Sequence, residues 1–121
     1  MKWNRLTLLE SCEELLRRDD LVIKWATVNE KNTTAHFVAD VNPEGWLENI
    51  VITVDPAQGG LIECVLHECL HIVLQHHVAD HFNSMLEEEI VKALERNLWT
   101  KGIANAGKVR LWKRLIKAKI Q

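Results

Sequence analysis

From Leu61 to about His77 the pattern of this chain is helical and, as far as Leu74, largely apolar. Leu61, Ile62, Val65, Leu66, Cys69, Leu70, Ile72, Val73 and Leu74 cover most sides of such a helix. A helix of that kind belongs at the centre of a fold, with other elements packed around it. The stretch nevertheless carries Glu63, His67, Glu68 and His71. Ionisable groups in the middle of a core are costly unless they have partners or a task. This segment therefore fixes both the architecture and the place to look for chemistry.

The flanking segments supply the packing layers. Thr7-x-x-Glu10 reads as a capping box opening a first helix, with Leu9, Cys12 and Leu16 spaced for one buried face. Three strand-like stretches follow, Leu21 to Val28, Thr33 to Asp40 and Trp46 to Val54. The turns between them are Asn29 to Asn32 and Asn42-Pro43-Glu44-Gly45, so the expected sheet is an antiparallel meander. Asp55-Pro56 and Gly59-Gly60 end the third strand. Ser84-x-x-Glu87 is a second capping box, opening a helix through Leu86, Ile90, Leu94 and Leu98. Lys108 to Ile120 is a basic amphipathic helix with Trp112, Leu115 and Ile116 on one side. The expectation is a single α+β domain over residues 1–121. It holds an N-terminal helix, a three-stranded, mostly antiparallel sheet, a buried helix, a second helix and a basic helical tail over 101–121.

Charge is unevenly divided along the chain. Residues 1–100 hold 17 acidic and 8 basic side chains, whereas residues 101–121 hold seven basic and no acidic ones. A basic tail on an acidic body suits a nucleic-acid or acidic-protein partner, or forms the solvated face of a terminal helix docked on that body. The three cysteines form no CxxC pair or disulfide framework and read as small buried apolar residues. No apolar run reaches the roughly 18–20 residues of a membrane span, and the N-terminus is not a signal-peptide core. The reading is cytoplasmic.

His67 and His71 stand four residues apart, so on a helix both side chains point the same way, one turn apart. Two imidazoles so placed reach one tetrahedral metal ion, with bonds of about 2.0–2.1 Å. Glu68, about 100° further round, lies beside such an ion without binding it, placed to take a proton from an attacking water. This is the HExxH pattern. Chance produces such a pentapeptide in a chain of this kind on the order of a few per cent of the time.

A third ligand must come from elsewhere. His77 falls six residues beyond His71, but joins only if the chain turns sharply at Leu74; His76 and His81 need a similar turn. The alternative is a glutamate of the next helix. Glu87 shares a face with Leu94 and Leu98 but is committed to the capping box. Glu88 projects towards the opposite, solvated side. Glu89 flanks the core beside Leu86 and Ala93. Periodicity leaves the choice open.

The chain resembles minimal gluzincin-type metallopeptidases of phage and prophage genomes, compact relatives of thermolysin-like zincins. The resemblance spans the third strand through the helix from Glu87 to Trp99, roughly half the chain. In that family a helix opening on a Glu of E-x-V-x-x-L type follows the HExxH helix, here Glu89-Ile90-Val91-Lys92-Ala93-Leu94. The resemblance implies a zinc peptidase with His67, His71 and Glu89 as ligands and Glu68 as general base. Its peptide or protein substrate would add as a strand along Trp46 to Val54, in the cytoplasm of a phage host. The chain has no Tyr to stabilise an oxyanion, leaving that role to the metal or to His76, His77 or His81. Two alternatives stand beside this. One is a metal-dependent endoribonuclease using His67, His71 and His77, as in a bacterial family with H-G-x-x-H-x-x-G-Y-D-H. The other is a non-catalytic, metal-stabilised module binding nucleic acid or protein.

Overall fold

The strand with the strongest claim to the centre is the one that takes it. Residues 47–54 bury Leu47, Ile50, Ile52 and Val54 on one face while Val51 and Thr53 are half-buried on the other. The structure, a computed structural model, describes residues 5–26, 35–44, 47–55, 60–78, 84–100, 102 and 104–120. In chain order the elements are α1 (Arg5–Leu16), β1 (Leu21–Trp25), β2 (Ala35–Val41), β3 (Leu47–Val54), α2 (Leu61–Val78), α3 (Ser84–Thr100) and α4 (Ala106–Lys117). The fold is α+β with one mixed sheet.

The sheet is not the expected meander. Its order is β1-β3-β2, with β1 parallel and β2 antiparallel to β3. Strand directions are those of a meander, but β3 lies between the other two, its Ile52 facing Ile23 on one side and Phe37 on the other. The physical reason lies in side-chain content. β3 offers β-branched residues to both faces, as a central strand needs. β2 carries His36 and Asp40 and leaves Val38 62% and Val41 68% exposed, which suits an edge. The expected turn at residues 29–32 lies outside the described residues, whereas Glu44 N–H donates to the Asn42 carboxamide at 3.0 Å in the β2–β3 turn. Asn49, at φ 52°, is the extra residue of a bulge opposite Ala39. Its amide N–H donates to Asp20 and its carboxamide to Asp40, both at 3.0 Å, which holds this left-handed conformation in place.

The centre of the packing is α2, which lies against α1, α3, α4, β2 and β3. Val65, Leu66, Cys69, Leu70, Ile72, Val73 and Leu74 are buried, whereas Glu63, His67, His71 and Gln75 follow one another along the less buried side. The helix starts at Gly60–Leu61, where the Glu63 carboxylate folds back so closely that a Cβ on Gly60 would collide with it. α1 buries Leu9, Cys12, Leu15 and Leu16. It is already helical at Arg5, so Thr7 lies within the helix and not at its cap. The three cysteines are free and buried.

α4 opens on Asn105, whose side chain accepts from Lys108 N–H at 3.0 Å. Trp112 and Ile116 are fully buried, and the Trp112 indole N–H donates to the buried Glu13 carboxylate at 3.1 Å. Lys108 pairs with the same Glu13 oxygen at 2.8 Å. The helix stops at Lys117, short of the expected Ile120, because residues 119–120 do other work. Lys119 C=O accepts from Ile23 N–H at 2.9 Å, and Ile120 bridges to Ile23, covering the outer edge of β1. Lys119 also donates through its ammonium to the Arg18 carbonyl. No described helix is long and apolar enough to cross a membrane.

Candidate metal centre

His67 and His71 occupy successive turns of α2, and their rings meet edge to face with centroids 4.8 Å apart. Their Nε2 atoms are 3.2 Å from each other. Both point at one carboxylate from α3. Glu88 places Oε1 at 3.1 Å from His67 Nε2 and Oε2 at 2.8 Å from His71 Nε2. One ligand atom from each of the three residues lies within 4.8 Å of the others.

These distances test whether a metal fits. Tetrahedral ligands with bonds of about 2.0–2.1 Å stand roughly 3.3 Å from one another. The 3.2 Å between the imidazoles lies close to that spacing, and the 3.1 and 2.8 Å to the two Glu88 oxygens lie somewhat below it. Two imidazole nitrogens and one carboxylate could therefore hold a divalent ion, with a fourth position left over. Glu88 is the most exposed of the three, at 38% of its side chain, against 23% for His67 and 13% for His71. Solvent meets the site from the α3 side.

The carboxylate that meets the two imidazoles is Glu88, not the Glu89 that the family resemblance implied. Glu89 is exposed, as is Ala93, so that side of α3 faces away from α2. The inward side is set by Val91, which is fully buried. Glu88 stands three residues before Val91 and Glu95 four after, so all three share one face. This spacing is present in the sequence. It does not stand out there because Glu87, four residues before Val91, satisfies the same periodicity.

Glu95 is the residue that sequence reasoning missed altogether. Its Oε1 lies 2.7 Å from His67 Nδ1. A carboxylate can only accept, so Nδ1 carries a hydrogen, which leaves Nε2 as the ring nitrogen that would bind an ion. This is the arrangement by which outer carboxylates orient metal-binding imidazoles. Burial works against protonation of His67. The hydrogen bond and charge of Glu95, with Glu88 and Glu68 behind them, outweigh burial and hold its pKa above the ordinary histidine value.

Glu68 follows His67 round the helix and is 7% exposed. Burial pushes its carboxyl up to about 7, against the lowering effect of His71 and His67 and with smaller raising effects of Glu88 and Glu95. An acid so placed is poised for proton transfer near neutrality.

The other histidines do not complete a three-histidine set by the route the sequence left open. α2 continues through Leu74 to Val78 without the turn that a His77 ligand requires. The side chains of His76, His77 and Glu87, and all of His81, lie outside the described residues. No protein-family model, curated protein or solved structure matches this chain, so the geometry stands on its own.

Proposed function

We propose that this chain is a zinc-dependent metallohydrolase of the zincin type that cleaves peptide bonds. The observation that carries the reading is the convergence of His67 Nε2, His71 Nε2 and the Glu88 carboxylate at metal-ligand spacing, with Glu68 buried beside them. His67, His71 and Glu88 would hold the ion, and Glu95 would fix the His67 ring. A zinc ion held there would supply Lewis acidity, polarising the scissile carbonyl and lowering the pKa of water towards about 7. Glu68 would take the proton of the attacking water and return it to the leaving amine. A two-histidine, one-carboxylate set also suits iron(II), so metal analysis is part of the test.

The substrate strand needs a different partner from the one first expected. β3 is hydrogen-bonded on both sides and has no main-chain groups to offer a further strand. β2 packs against α2 and, among the described residues, is paired on one side only. An extended peptide would add there. The Glu68→Gln variant tests the mechanism: it should bind zinc as the native chain does and lose all measurable hydrolysis of a quenched fluorescent peptide library. Full activity in that variant would rule out the assigned base.

A further inference from the structure

α4 uses only part of its charge to hold the fold together. Lys108 neutralises the buried Glu13, while Trp112 and Ile116 fill the core. Arg110, Lys113, Arg114 and Lys117 are all exposed. Their spacing of three, one and three residues puts them on one face of the helix, a stripe about 10 Å long at 1.5 Å per residue. None is paired with a carboxylate among the described residues. Two further contacts keep α4 in place at its ends: the Asn105 cap, and the Lys119–Ile120 segment laid on β1. The four cations are thus held on a rigid, outward-facing scaffold.

We propose that this outer face of α4 binds the phosphate backbone of duplex nucleic acid. A polyanion of regular charge spacing fits a row of cations that has no apolar residue among them. Protein interfaces are organised around buried aromatic or aliphatic anchors, and this face offers none. Protein–nucleic-acid interfaces are polar and strongly positive. Insertion into a lipid surface needs an apolar helix face, and the apolar face of α4 is committed to the core. The acidic body, with Glu10 and Glu14 exposed on the neighbouring α1, limits affinity but does not cancel a local field, since the Debye length is only about 8 Å at physiological salt. Contact with phosphates alone reads no base sequence, so binding is sequence-independent.

The test is fluorescence anisotropy of a labelled 20-bp mixed-sequence duplex titrated with the full-length chain at several salt concentrations. Four phosphate contacts give a slope of log K against log salt of about −3.6, a roughly 150-fold loss between 50 and 200 mM. Replacing Arg110, Lys113, Arg114 and Lys117 with Gln keeps helix propensity. That variant, shown by circular dichroism to melt as the native chain does, should lose at least tenfold in affinity at 50 mM salt. A Lys24→Gln, Lys92→Gln variant, altering exposed cations elsewhere, should bind as the native chain does. Absence of duplex binding at 50 mM salt overturns the proposal, as does equal binding by the four-Gln variant. So does tighter binding to polyglutamate or to anionic phosphatidylserine vesicles than to the duplex.

Discussion

Removing the Glu95 side chain should weaken metal binding without touching a ligand. In the native chain Glu95 Oε1 accepts from His67 Nδ1 at 2.7 Å, the length of a charge-assisted hydrogen bond. Both side chains are about three-quarters shielded, at 23% and 25% exposed. Loss of such an outer carboxylate typically costs 10- to 100-fold in metal affinity. The short contact and shielding place Glu95→Ala in the upper part of that range, about 30- to 100-fold, or roughly 2–2.7 kcal/mol. Glu95→Gln keeps an acceptor but removes the charge, so its loss should be smaller. The assay is competition for zinc with a chromogenic chelator at fixed pH, with stoichiometry read at saturation. The expected result is one zinc per chain in all three proteins, with affinity falling from native to Gln to Ala. Equal affinity of Glu95→Ala and the native chain would refute the positioning argument.

Two further outcomes test the fold. Trp112→Ala removes the largest fully buried side chain among the described residues and takes a donor from buried Glu13, so urea denaturation should show a loss of about 3–5 kcal/mol; a change below about 1 kcal/mol would contradict the packing of α4. The hydrogen bond from Arg18 holds the Asp20 carboxyl below its ordinary value, more than offsetting the raising effect of its burial, with Asn49 N–H adding to the lowering. A depressed folded-state pKa contributes stability above the unfolded value and loses it as pH falls through the folded one. Asp20→Asn should therefore flatten the acid side of the stability profile below about pH 4. The effect is small because the pair lies at the surface, with the Asp20 side chain 29% exposed to screening solvent.

Much of this molecule was legible in the sequence because α2 leaves few choices. A helix apolar on most of its sides had to be central, and His67 and His71 had to share a face whatever surrounded them. The buried sides of α1 and α4 followed from Leu9, Cys12, Leu16, Trp112 and Ile116 in the same way. The order of the strands was not legible, because up-down-up directions serve both a meander and the β1-β3-β2 sheet. What separates the two is the two-sided apolar character of β3 against the polar positions of β2. The carboxylate that faces the two imidazoles is Glu88, one residue before the Glu89 that the family resemblance implied. A face centred on the fully buried Val91 takes in sequence positions 87 and 88 alike, so spacing alone leaves two candidates. Glu95 escaped notice because an outer partner carries no motif, only a spacing of seven from Glu88.

The most direct test of the central claim is the zinc content and affinity of the native chain beside its Glu88→Ala and Glu89→Ala variants. The account predicts one tightly held zinc in the native chain and in Glu89→Ala, and a large loss of affinity in Glu88→Ala. A native chain that takes up no zinc, or a loss confined to Glu89→Ala, would contradict it.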